Sequence, residues 1–85
     1  MTLDEQFTDA QARVKTLPKM PDNDQLLELY ALYKQATAGD VSGKAPGMFD
    51  LKGGAKHSAW SRKKGMSGEQ AKTAYVKYVD KLLGK

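Results

Sequence analysis

Residues 22–40 read DNDQLLELYALYKQATAGD, and this stretch predicts a helix that is apolar over a wide arc. Asp22 is a suitable N-cap with Gln25 at the third helical position, and the helix is expected to run to about Thr37, before Gly39. The apolar side chains form two ridges, Leu26–Leu29–Tyr33 and Leu27–Tyr30. A helix that is apolar over this width is expected to contact neighbours on two sides.

Helical spacing recurs on both sides of this stretch. Two capping-box patterns, Thr2 with Glu5 and Ser67 with Gln70, indicate where the first and last helices begin. The three additional helices are expected at Leu3 to Leu17, at Leu51 to Lys64, and from Ser67 to about Gly84. No segment shows a convincing strand pattern.

The connection across residues 38–50 is long and rich in glycine and proline, and it lacks the alternation of a hairpin. Met48 and Phe49 within it are expected to pack onto the helices. An 85-residue chain is long enough for one domain and too short for two. The sequence therefore predicts an all-α protein, a helical bundle that forms a single domain over residues 1–85.

Composition excludes several classes of function. The chain has no cysteine and only one histidine, His57, which is expected to be a partly exposed surface residue. A disulfide framework, a thiol nucleophile and a multi-histidine metal site are thereby excluded, and no catalytic site or cofactor is expected. No apolar run approaches the roughly 20 residues that span a bilayer, and no secretory signal is visible, so the expected compartment is the cytoplasm.

The net charge of +4 is concentrated in one region. Residues 44–64 contain six basic side chains and one acidic side chain, an excess that is consistent with an anionic partner. On charge alone, a solvated basic face is the favoured interpretation. Tyr30 and Lys34 share a helix face, as do Lys52 and Lys56. A ring beside an ammonium group suits a nucleotide, whereas tyrosines at helical spacing also suit a core. Trp60 is expected to be a core anchor.

Two blocks of sequence carry a resemblance to a known family. They read Tyr30-x-x-Tyr33-Lys34-Gln35-Ala36-Thr37-x-Gly39-Asp40 and Pro46-Gly47-Met48-x-Asp50-x-Lys52-Gly53-x-Ala55-Lys56-x-x-Ala59-Trp60. Together with flanking matches such as Phe7 and Tyr75, they resemble the acyl-CoA-binding protein family along essentially the whole chain. The resemblance implies a four-helix up-down-down-up bundle that carries long-chain fatty acyl-CoA esters, keeps an intracellular pool of them and is not an enzyme.

The resemblance also implies roles for individual residues. Tyr30 would pack on the adenine, Lys34 and Lys56 would pair with the 3′-phosphate, and Tyr75 would contact the ligand near the ribose and phosphates. Lys15 would approach from the first helix and Lys52 would line the same site, while Tyr33 and Leu27 would form part of the groove wall. His57 stands where many members have a tryptophan near the ligand.

The ligand is thus expected to be a long-chain acyl-CoA ester, bound without a metal or cofactor. Transient contact with acyl-CoA-using enzymes, a monomeric state and no stable membrane insertion are expected as well. The alternative is a small basic module that binds nucleic acid or another polyanion through the same lysines. A thioesterase is disfavoured because no serine, histidine and carboxylate arrangement is supported by the spacing.

Overall fold

The computed structural model describes residues 1–42, 47 and 50–84. Within these residues the chain forms α-helices and no strands, which confirms the all-α prediction. The expected packing of Met48 and Phe49 lies outside the described residues. The helices are α1 (Leu3–Arg13), α2 (Asn23–Ala38), α3 (Leu51–Ser61) and α4 (Gly68–Leu82), with a short 3₁₀ turn over Val14–Thr16.

Capping boxes begin the first, second and fourth helices, as the sequence predicts. At α2 the Asp22 carboxylate accepts from the Gln25 amide at 2.8 Å, while the Gln25 side chain accepts from the Asp22 amide at 3.0 Å. Thr2 with Glu5 and Ser67 with Gln70 repeat the arrangement at α1 and α4. Each cap satisfies amides that have no partner inside the helix, and a cap of this kind is worth about 1 kcal/mol.

Two helices end earlier than the sequence pattern predicts. The first was expected to reach Leu17, but Leu17 is extended with ψ 132° because the following proline, Pro18, disfavours helical backbone at the residue before it. The third was expected to reach Lys64, but it ends at Ser61. After Ser61 the backbone forms turns instead of continuing the α-helix. Gly65 then takes a positive φ of 92°, a value that favours glycine.

Contacts at the helix ends establish an up-down-down-up order. Lys72 pairs with Asp4 near the starts of α4 and α1, and Arg13 pairs with Asp80 near their ends, so these two helices run parallel. The Met66 carbonyl, just before α4, meets Gln35 near the end of α2, so α2 and α4 are antiparallel. Two lysine–aromatic contacts, described below, place α3 parallel to α2.

The hydrophobic core described by the structure lies between α1, α2 and α4. Its fully packed members are Phe7, Ala10, Leu29, Leu32, Tyr75 and Val79. Phe7 meets Tyr75 edge to face with ring centres 5.1 Å apart, and Tyr33 stacks on Phe7 at 6.0 Å. Helix α3 contributes no described residue to this cluster, although Ala59 is buried against its neighbours.

Polar contacts attach α3 and the loop after it to α2. Lys63 forms an ion pair with Glu28 at 2.7 Å. Buried Gln35 donates to both the Asp40 carboxylate and the Met66 carbonyl at 2.8 Å, and the same Asp40 oxygen accepts from the Gly65 amide. These bonds hold the pKa of Asp40 below its usual range, the Gly65 amide having the largest effect. A charged Asp40 is therefore part of the junction between α2, α3 and α4.

Candidate functional site

The candidate binding site is a groove between the N-terminal halves of α2 and α3. It encloses about 440 Å³ and is lined by Asn23, Leu26, Leu27, Tyr30, Leu51, Lys52, Ala55 and Lys56. The α2 residues follow the helical spacing of one face, and so do those of α3. The groove is thus a strip of leucine, alanine and tyrosine side chains, with exposed Lys52 and Lys56 at its edge.

Two lysines at or beside this groove, Lys56 and Lys34, lie over aromatic rings. The Lys56 Nζ lies 5.3 Å from the centre of the Tyr30 ring, and the Lys34 Nζ lies 5.0 Å from the centre of the Trp60 ring. Each contact joins α2 to α3, since Tyr30 and Lys34 belong to α2 and Lys56 and Trp60 to α3. An aromatic face attracts an ammonium group through its quadrupole and leaves the positive charge in place.

Two other lysines of the bundle are paired with carboxylates, and one of them, Lys72, also lies 6.0 Å from the centre of the Phe7 ring. Lys63 pairs with Glu28, and Lys72 pairs with Asp4. A carboxylate competes directly with any incoming anion, whereas a ring does not. The lysines beside the groove are thus held without neutralisation, whereas Lys63 and Lys72 are neutralised by carboxylates.

Five of the residues proposed from sequence meet at this groove. Leu27, Tyr30, Lys52 and Lys56 line it, and Lys34 lies one helical turn beyond Tyr30. Lys15, in contrast, is exposed in the 3₁₀ turn after α1 and does not line the groove.

Tyr33 and Tyr75 lie on the other side of α2. Tyr33 is 40% exposed and lines a separate cavity of about 390 Å³ with Phe7, Gln11 and Lys72. Tyr75 is only 5% exposed and packs into the core. Burial and, secondarily, the neighbouring Tyr33 raise the pKa of Tyr75 above its ordinary value. Neither tyrosine lines the α2–α3 groove, and the ligand contacts assigned to them from the sequence stay predictions.

Trp60 lies beside the groove and contacts a lysine of the candidate site, a position that the sequence did not indicate. It was expected to be a core anchor, but it is only partly buried and lies outside the described core cluster. Its indole Nε1 donates to the Gly39 carbonyl at 2.8 Å, and its face carries Lys34. Only the pairing of α2 with α3 brings these groups together, and no local pattern encodes that pairing.

His57 is partly exposed, as expected, but its Nε2 is covered and has no hydrogen-bond partner among the described residues. The same part of the chain holds no cluster of three or more histidine, cysteine or acidic side chains that suits a metal ion. None of the described helices has the length and apolar character needed to cross a membrane.

An apolar groove flanked by ammonium groups on a helical bundle defines a class of protein that binds amphipathic anions. Comparison with known proteins identifies the family. The family described as "Acyl CoA binding protein" matches residues 4–79, most of the chain. The chain therefore belongs to the acyl-CoA-binding protein family.

Individual relatives agree with this assignment. The chain is 57% identical over 79 residues to acyl-CoA-binding protein homolog 1 of Caenorhabditis elegans, covering 93% of this chain and 92% of that protein. It is 47% identical over 79 residues to the acyl-CoA-binding protein of Saccharomyces cerevisiae, covering 93% and 91%. The crystal structure of Oryza sativa acyl-CoA-binding protein 2 superposes with a TM-score of 0.92 at 42% identity, covering 98% of this chain and 92% of that one. Members of the family are binding and carrier proteins, not enzymes.

Proposed function

We propose that this chain, as a single domain over residues 1–85, binds long-chain fatty acyl-CoA esters and carries them as a protected cytoplasmic pool. The observation that carries the proposal is the apolar α2–α3 groove with two ring-held lysines, Lys34 and Lys56, beside it. Such a groove suits a ligand with a long hydrocarbon tail and a highly charged head. Membership of the family supports the same ligand.

The head of the ligand is assigned to the lysine–aromatic pairs. A phosphomonoester carries nearly −2 at pH 7, and charge-assisted hydrogen bonds to it are stronger than an ammonium–ring contact. The 3′-phosphate therefore draws Lys56 from the Tyr30 ring and meets Lys34 where that side chain lies against Trp60. Once Lys56 moves, the face of Tyr30 is open for the adenine to stack. The family resemblance assigns Lys15 and Tyr75 to the head group and Tyr33 to the groove wall, although none of the three lines the α2–α3 groove in this structure. Lys52 adds positive charge at the edge of the groove.

The tail supplies most of the binding free energy. Leu26, Leu27 and Leu51 present apolar surface, and Leu51 is 81% exposed in the ligand-free protein. Each methylene moved from water onto such surface contributes roughly 0.8 kcal/mol. A long acyl chain laid along the groove therefore binds tightly even though the groove is open to solvent.

The polyanion alternative is not favoured. Lys63 of the basic stretch is paired with Glu28, and the groove beside Lys52 and Lys56 is apolar. Exposed leucine side chains would contribute little to binding the charged backbone of a nucleic acid. We propose instead that the carrier acts as a monomer, without stable membrane insertion, and meets acyl-CoA-using enzymes only transiently.

Calorimetry with palmitoyl-CoA, free coenzyme A and palmitate, run side by side, tests the proposal. Palmitoyl-CoA should bind far more tightly than either half, because only the ester uses both the lysines and the groove. Comparable binding of free coenzyme A and the ester would overturn the carrier proposal. Equally tight binding of palmitate would do the same, since the lysines would then have no specific role.

A further inference from the structure

Trp60 makes two contacts with α2 at once. Its Nε1 donates to the Gly39 carbonyl at 2.8 Å, and its ring face lies 5.0 Å from the Lys34 Nζ. The hydrogen bond anchors the indole at a fixed point, because Gly39 is the C-cap of α2, with its own amide bonded to Gln35. The ring is therefore held in one orientation with Lys34 over its face.

This arrangement has a consequence for Lys34. A lysine side chain has four rotatable bonds and loses much conformational freedom when a ligand fixes it. A carboxylate partner would fix it too, but would also neutralise it and compete with an anionic ligand. The Trp60 face restricts the ammonium group while leaving its charge available. Both Lys34 and Trp60 are partly buried, which strengthens the contact relative to an exposed one.

We infer that Trp60 is a positioning residue: it holds Lys34 ready for the 3′-phosphate and thereby raises the preference of the protein for phosphorylated over dephosphorylated coenzyme A esters. This inference rests on the proposed function. Trp60 itself need not touch the ligand, because it acts through Lys34. Its contribution is confined to the phosphate, so the tail and the rest of the head group do not depend on it.

The test compares palmitoyl-CoA with palmitoyl-dephospho-CoA, which lacks the 3′-phosphate, and uses the ratio of the two affinities as the readout. Trp60→Leu removes the ring and should lower this ratio about two- to fivefold, the range for an ammonium–ring contact. Trp60→Phe keeps an aromatic face and should recover part of the ratio, although it loses the bond to Gly39. In a Lys34→Ala background, Trp60→Leu should lower the ratio no further.

A purely structural role for Trp60 gives a different result. Loss of packing would weaken both ligands equally, leave the ratio unchanged and act additively with Lys34→Ala; that pattern would overturn the inference. If Lys34→Ala lowers the ratio but Trp60→Leu does not, only the positioning role fails. If the parent protein does not bind palmitoyl-CoA, the proposed function itself fails.

A ligand-free measurement keeps the inference testable if Trp60→Leu folds poorly. Proton NMR of the parent should show the Lys34 ε-methylene resonances shifted upfield by the indole ring current. Saturation with palmitoyl-CoA should preserve that shift, because Lys34 binds the phosphate from its place against the ring. Loss of the shift on binding would show that the contact opposes binding and would overturn the inference. Resonances of Lys34 at ordinary lysine positions in the free protein would overturn the inference.

Discussion

The ammonium group of Lys56 lies 5.3 Å from the centre of the Tyr30 ring, so a cation on α3 and a ring on α2 are in contact across the groove. The proposed ligand needs both groups, the cation for a phosphate and the ring for a base. In this structure the Lys56 ammonium group and the Tyr30 ring are each other's partner. Binding therefore exchanges one weak contact for two stronger ones and requires no carboxylate to be displaced.

The first prediction concerns the proposed phosphate lysines. Lys34→Ala and Lys56→Ala should each weaken palmitoyl-CoA binding by about 1.5–3 kcal/mol, the range for hydrogen bonds to charged groups. Calorimetry measures the loss, and palmitoyl-dephospho-CoA should bind to mutant and parent alike. Lys77→Ala is a matched control, because Lys77 is an exposed lysine on α4 that does not line the groove. Unchanged affinity in either groove variant would remove that lysine from the site.

The second prediction separates the ring of Tyr30 from its hydroxyl. Tyr30→Phe keeps the stacking face and should cost on the order of 1 kcal/mol of binding, the value of one hydrogen bond. Tyr30→Ala loses the face as well and should cost clearly more. Equal losses would contradict a stacking role. A lower melting temperature with intact binding would instead show that Tyr30 serves packing alone.

The third prediction concerns the length of the acyl chain. Two added carbons should strengthen binding by roughly 1.6 kcal/mol, somewhat more than tenfold. Helix α2 has 16 residues. Its N-terminal half lines the groove, and we expect the tail to continue along the rest of the helix. At about 1.5 Å of rise per residue, the gain should then level off near an extended chain of about 16 to 18 carbons. Titration of octanoyl-, dodecanoyl-, palmitoyl- and eicosanoyl-CoA measures the slope, and a flat series would contradict a groove that holds the tail.

The fourth prediction concerns stability in acid. The Gly65 amide, then Gln35 and the charge of Lys64, lower the pKa of Asp40 in the folded protein. Because the unfolded chain takes up this proton first, the stabilisation is complete above the unfolded value of about 3.9 and is lost as pH falls through the folded value. Asp40→Asn should therefore be less stable than the parent at pH 7, and the difference should shrink in acid.

Urea unfolding of both proteins at a series of pH values measures this difference. Glu5, whose pKa is also lowered, by Thr2, is present in both chains, so its effect cancels. A difference in stability that stays constant down to low pH would show that the charge of Asp40 is unimportant to the junction.

The sequence predicted those features of the fold that depend on neighbouring residues. The capping boxes at Thr2, Asp22 and Ser67 could be identified because each requires only two side chains three positions apart. The wide apolar arc of α2 correctly indicated neighbours on two sides: Tyr30 meets α3, and Tyr33 meets α1. Helical spacing identifies a face, and the resemblance to a family supplied the order of the helices.

The rest depended on how the helices pair. Tyr30 and Tyr33 lie three residues apart, yet one lines the α2–α3 groove and the other a different cavity. Trp60 contacts Lys34 and Gly39 only because α3 runs parallel to α2 in a particular register. A register between helices distant in sequence leaves no local pattern, so Trp60 could be assigned a core role but not its place beside the site.

The way in which α3 is attached to the bundle affects how stable this helix is without a ligand. Among the described residues, the contacts of this helix with α2 include the Trp60–Gly39 hydrogen bond and two lysine–aromatic pairs, and the buried hydrophobic cluster lies between α1, α2 and α4. The amides of α3 should therefore exchange with solvent faster than those of α2 in the empty protein. A bound tail supplies the missing apolar interior, and at a hundredfold excess over Kd the ligand adds about 2.7 kcal/mol of stability. We therefore expect limited proteolysis to cut the protein within α3 sooner in the absence of palmitoyl-CoA than in its presence.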